Sequence, residues 1–75
     1  MKIELTKEKD GYRAHIAGHK HLVAFGFSKK EALEELQGVI ELELESGAEV
    51  TQMTKRINEY IHKLEHAAEH RPDSI

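Results

Sequence analysis

Apolar and polar residues alternate at the start of the chain. Ile3 and Leu5 fall on one side and Lys2, Glu4 and Thr6 on the other over residues 2–7. A period of two is that of a half-buried strand, because successive side chains leave the pleat on opposite faces. The charged run Lys7-Glu8-Lys9-Asp10-Gly11 follows, and its closing Asp-Gly pair suits the positive φ angles of a hairpin turn. Tyr12, Ala14 and Ile16 then alternate with Arg13, His15 and Ala17, which predicts a second strand, and Gly18-His19-Lys20 reads as a second turn. From His21 to Phe27 the chain is more continuously apolar, as expected of a strand in the middle of a sheet or covered on both faces. A three-stranded antiparallel meander is the expected product.

At Ser28 the period changes to that of a helix. Ser28-Lys29-Lys30-Glu31 has the form of a capping box, in which Ser28 and Glu31 satisfy backbone amides that a helix start leaves without partners. Ala32, Leu33, Leu36, Val39, Ile40 and Leu44 make the sheet-facing stripe, and Gly47 is placed to end the helix in a left-handed cap. Leu42 lies on another flank and needs separate cover. Val50, Met53, Ile57, Tyr60, Leu64 and Ala67 then recur at alternating spacings of three and four, broadened by Ile61. Polar residues from Thr51 to Lys63 fill the opposite side, so a second, amphipathic helix is expected. Residues 71–75, around Pro72, keep no periodicity and read as a flexible tail. The order β-β-β-α-α makes the chain an α+β protein with one domain over residues 1–70.

The chain has 75 residues, of which 39% are hydrophobic. A domain of this size buries only about 60% of its unfolded surface and sits near the lower limit of stability, a shortage that a partner chain relieves. A small sheet roofed by the Ser28 helix leaves little area for a second helix. Leu42, Val50, Met53, Ile57, Tyr60, Ile61 and Leu64 are therefore the candidate contact residues for a homodimer or another partner. There is no cysteine, which removes disulfides and thiolate metal sites. No apolar run is long enough to span a membrane and the N-terminus does not read as a signal peptide, so a cytoplasmic protein with no membrane partner is expected. The net charge of −3 speaks against a duplex-binding protein held by phosphate contacts. Protonating all six histidines would turn that charge into +3, so assembly is expected to respond to mild acid, above all through His62, His66 and His70.

Chemistry is harder to find. His62-Lys63-Leu64-Glu65-His66 and His66-Ala67-Ala68-Glu69-His70 both have the H-x-x-E-H spacing of inverted zincins. A catalytic zinc also needs a third protein ligand and a walled cavity, which a tract at the end of so short a chain does not supply. His19 and His21 fall at a presumed turn without an orienting partner. Ser28 is explained as a cap, and no triad can be assembled around Ser46 or Ser74. The glycines have neither dinucleotide nor phosphate-loop spacing. Lys29 and Lys30, with Lys20 and Arg13, are the only basic patch that could meet nucleic acid, while Tyr12, Phe25 and Phe27 at strand positions read as core rather than as a base-stacking platform. No catalytic residue, metal ligand or cofactor is assigned.

The segments Asp10-Gly11-Tyr12-Arg13-Ala14-His15-Ile16, Ala24-Phe25-Gly26-Phe27-Ser28 and Lys30-Glu31-Ala32-Leu33-Glu34-Glu35-Leu36 through Ile40-Glu41-Leu42 resemble the HicB-like antitoxin family. That family has a Gly-Tyr strand, a return strand ending in glycine before a Thr or Ser cap, and a helix opening with Glu-Ala-Leu. The likeness covers residues 1–47. It implies a partial ribonuclease-H-like domain without nuclease activity that binds a small basic RNA-cleaving toxin of the HicA type and assembles as dimers or larger oligomers. Two departures stand out: Ala17-Gly18 replaces the usual proline-containing loop, and a single helix replaces the C-terminal DNA-binding element. Operator binding is accordingly not implied, and no individual functional residue is carried over. The expected function is a non-enzymatic interaction module, with a small nucleic-acid-binding or regulatory protein as the alternative and a metal-dependent enzyme a distant third.

Overall fold

A computed structural model of the chain describes residues 1–44 and 47–69. It contains β1 (Ile3–Glu8), β2 (Gly11–Ile16), β3 (His19–Gly26), α1 (Lys29–Glu43) and α2 (Ala48–Glu69), the α+β order expected. Ser46, His70 and the expected tail at 71–75 lie outside the described residues.

The sheet has the order β1-β2-β3 and is antiparallel throughout. Its inner face carries Leu5, Ala14 and Ala24 in one cross-strand row and Ile3 opposite Ile16 in the next. The central strand is β2, which corrects the expectation that the most apolar stretch would sit in the middle or be covered twice. Strand β3 is an edge: Leu22 and Ala24 are buried, whereas His21 and Phe25 on the opposite parity are exposed. It looked continuously apolar because both of its faces carry apolar side chains. Register breaks between His15, which pairs with Val23, and Ile16, which pairs with His19. Lys20, His21 and Leu22 therefore bulge out between the two pairs. Gly18 makes the preceding turn at φ 85°, and it has the only positive φ among the described residues.

The β1–β2 reversal falls at Lys9-Asp10, with Glu8 already paired to Gly11, so Gly11 does not supply the left-handed turn angle expected of it. Its missing side chain serves a different purpose. A Cβ at Gly11 would run into the Gly26 carbonyl, and one at Gly26 would run into the backbone nitrogen of Ala32. The end of the sheet and the first turn of α1 thus touch backbone to backbone, as only residues without side chains allow.

Helix α1 starts where its sequence predicts, with Glu31 reaching one residue further back than a capping box requires, to the Phe27 amide instead of that of the Ser28 cap. The Ser28 hydroxyl accepts from the Glu31 amide at 3.1 Å, and the Glu31 carboxylate accepts from the Phe27 amide at 2.6 Å. Ala32, Leu33, Leu36 and Ile40 are buried against β3 and β2. The helix ends at Leu44, whose extended backbone still donates to the Ile40 carbonyl at 3.0 Å. Gly47 is not the expected left-handed cap. It opens α2 instead, its carbonyl accepting from both the amide and the hydroxyl of Thr51 at 3.0 Å.

Helix α2 returns antiparallel to α1. Gln37 donates to the Asn58 side chain at 2.7 Å and to the Thr54 carbonyl at 3.3 Å, and Lys30 meets Glu65 at 2.9 Å. Met53, Ile57 and Ile61 complete one core with Ala14, Ile16, Leu22, Leu33, Leu36 and Ile40, while Val50, Tyr60 and Leu64 are half-buried against it. The seam expected at a dimer interface is thus covered from within the chain at Met53, Ile57 and Ile61. The physical reason is placement: α1 sits over β3 and β2, leaving the β1 side of the same face free. Tyr60 there shares one groove with Ile3 and another with Leu5, Lys7 and Tyr12.

Leu36 is fully buried in this core, so Leu36→Ala should lower the free energy of unfolding by about 2–5 kcal/mol, measured by chemical denaturation. Gly26→Ala, although it adds only one methyl, should cost about 1–3 kcal/mol, because the neighbouring atoms are backbone and cannot swing away. An unchanged midpoint for Gly26→Ala would disprove the close approach.

Candidate functional site

Both helices lie on one face of the sheet, so among the described residues the opposite face is bare. Cross-strand pairing arranges that face in rows, Glu4–His15–Val23 and Thr6–Arg13–Phe25, with Glu8 opposite Gly11 at the hairpin end. Its polar side chains answer one another locally: His15 Nε2 lies 2.8 Å from Glu4 Oε1, Lys2 reaches the same carboxylate at 3.7 Å, and Arg13 Nε is 3.7 Å from Glu8. His15 Nδ1 and Arg13 Nε are buried atoms without a hydrogen bond.

The apolar content of this side gathers at one corner. Phe25 is 62% exposed and Phe27 83% exposed, a correction of their expected place in the core. Parity decides it, since Phe25 shares the outward set with His21 and Val23, and Phe27 follows the inward Gly26. The apolar content of β3 points to burial, whereas its alternation, continued from Val23 through Phe25 to Phe27, places both rings outward. Together with Glu8, Lys9, Asp10, Gly11, Tyr12, Gly26 and Glu31, they line an open groove of about 370 Å³ at the hairpin end. The Glu31 carboxylate holds the Phe27 amide and so fixes the backbone that presents the outermost ring. Tyr12 is half-buried. Lys7 lies 4.7 Å and Lys29 5.8 Å from its ring centre, distances at which a cation is drawn to an aromatic face.

The expected contact residues are scattered by comparison. Met53, Ile57 and Ile61 are buried, Val50, Tyr60 and Leu64 are half-buried, and Leu42 alone is fully available at 86% exposure. Lys30 is held by Glu65 and lies 4.0 Å from Glu34. His19 and His21 are exposed. His62 and His66 stack with ring centres 5.9 Å apart, and the glutamate between them reaches Lys30. Among the described residues no three His, Asp or Glu side chains are grouped to hold a metal ion, and no helix is long and apolar enough to cross a membrane.

No family model matches the chain, and neither does any curated protein or solved structure.

The Lys30–Glu65 contact ties the first turn of α1 to the far half of α2. The hydrogen bond from Lys30, then its charge, holds the Glu65 carboxyl below the usual glutamate range, with a smaller contribution from His62. The same hydrogen bond and charge push the Lys30 ammonium up. A depressed carboxyl contributes stability above its unfolded pKa and loses it as pH falls through the folded value. A raised ammonium loses its contribution as pH rises through its own folded value. Thermal melts of Glu65→Gln should therefore lie below wild type near neutral pH and converge with it in acid. High salt should also shrink the gap, because both groups face solvent.

Proposed function

We propose that this chain is a non-enzymatic interaction module that holds a small, basic, toxin-like protein, the role implied by its resemblance to HicB-like antitoxins. The observation that carries the reading is the exposure of Phe25 and Phe27 on a fold whose other large side chains mostly find cover in one core. Two neighbouring aromatic rings left in water beside a groove are a cost to an isolated domain and an asset to one that binds. Support also comes from the resembling segment itself, which forms three antiparallel strands and a capped helix, the elements the resemblance calls for. The basic patch considered for nucleic acid is largely spent within the chain, with Lys30 on Glu65 and Lys29 near Tyr12.

Self-association belongs to the same proposal. With Met53, Ile57 and Ile61 covered internally, it rests on Leu42. Sedimentation of the wild type should show mass rising with protein concentration, and Leu42→Asp should abolish that rise while melting at the wild-type temperature in dilute solution, where both are monomers. A wild type that stays monomeric at every concentration removes the oligomer from the reading. For the partner, the product of the adjacent reading frame should co-purify with the chain when the two are expressed together, and should dissociate more readily in salt. Failure of every small basic neighbour to bind would sink the module.

A further inference from the structure

Resting on that reading, we infer that the groove at the hairpin end seats one arginine side chain of the partner, its guanidinium against the exposed rings and its charge on Asp10. Three features of the site lead there. The first is the walls: Phe25 and Phe27 keep 62% and 83% of their surface in water, and the groove between them, the hairpin and Glu31 has about 370 Å³, ample for one long side chain. The second is charge. The lining brings Glu8, Asp10 and Glu31 against a single ammonium, Lys9. Arg13 offsets Glu8 at 3.7 Å and Glu31 is engaged with the Phe27 amide. Asp10, at the tip of the hairpin, is exposed and is the lining carboxylate with no ion pair or hydrogen bond among the described residues.

The third feature is how this end of the molecule treats its own cations. Tyr12, which also lines the groove, already has Lys7 and Lys29 within 4.7 and 5.8 Å of its ring centre. Its appetite for positive charge is met from within, while the rings of Phe25 and Phe27 carry no such partner among the described residues. A planar guanidinium suits the combination better than an ammonium, because it stacks flat on a ring while its edge donates to a carboxylate. Gly11 and Gly26 in the lining contribute no side chain to obstruct it. A nucleic acid would bring phosphates to a site whose lining carboxylates, Glu8, Asp10 and Glu31, outnumber its one ammonium, Lys9, which disfavours that occupant.

The test uses the full chain labelled with ¹⁵N and the capped peptide acetyl-Gly-Arg-Gly-amide, with the citrulline peptide as its neutral isostere and the lysine peptide as a second cation. The arginine peptide should shift the amides of Gly11, Gly26 and Phe27 saturably. The lysine peptide should bind more weakly, and the citrulline peptide should leave those amides in place. Phe27→Ser and Asp10→Asn should each weaken the arginine response by about tenfold, and since both side chains are exposed, melting curves should stay at the wild-type position. If Phe27→Ser lowers the melt, Phe25→Ser serves in its place. Citrulline shifting the same amides equally, or arginine moving amides elsewhere or none at all, would overturn the inference. A partner that co-purifies just as well with Phe27→Ser and Asp10→Asn would remove the groove while leaving the module intact. An arginine response without any basic protein partner would remove the module while leaving the groove.

Discussion

The contact on which the arrangement depends is between two stretches of backbone, where the end of β3 meets the opening turn of α1 at Gly26 and Ala32. Because no side chain separates them, the helix starts pressed against the sheet corner. The stripe Ala32, Leu33, Leu36 and Ile40 then lands on Ala14, Leu22 and Ala24, whose small alanines let the helix come close. Placement of α1 over β3 and β2 leaves room over β1, and that room receives α2. The bare outer face and the exposed corner follow from the same choice, since among the described residues two helices spent on one side leave none for the other.

Local signals were legible and non-local ones were not. The capping box at Ser28 and Glu31 needs only four consecutive residues and an ordinary turn of helix, so sequence alone places the start of α1 correctly. The inward parity of Ile3, Leu5, Tyr12, Ala14 and Ile16 was equally readable, as was the apolar stripe of α2. What covers that stripe was not, because the free area on a sheet depends on how far α1 sits to one side. Gly11 illustrates the difference. Beside Asp10 it resembles a turn residue, and its real constraint is Gly26, a neighbour fifteen positions away in the chain that no local pattern reveals. Gly47 likewise read as the end of one helix and opens the next. Phe25 and Phe27 depart from the core for a simpler reason: they are apolar residues at, or in line with, the outward positions of a strand with one open face, where alternation is a stronger constraint than hydrophobicity.

The corner groove and the helix cap are one piece of structure. Glu31 holds the amide of Phe27 while Ser28 holds that of Glu31, so the backbone before the outermost ring is fixed by the same two hydrogen bonds that mark the start of α1. A ring carried on a loop would be free to wander; this one is pinned by a helix start, which would lower the entropy lost on binding the proposed partner. Selection on the capping residues would then answer to binding as much as to stability.

The connectivity has a further consequence for how the molecule opens. Each strand pairs with its sequence neighbour and α1 packs on the strand just before it, so the first four elements close short loops. Helix α2 is the late arrival, held by Met53, Ile57 and Ile61, the Gln37 bridge and one solvent-facing ion pair. Were α2 to lift first, hydrogen exchange would show it as a separate foldon, released at lower free energy than the meander and α1. Its release would expose Leu36 and Ile40 along with its own seam, creating transiently a sticky helical surface on the side away from the aromatic corner. Such a chain would have two faces with different lifetimes: one displayed by the sheet among the described residues, and a momentary one, displayed only when the last helix lifts.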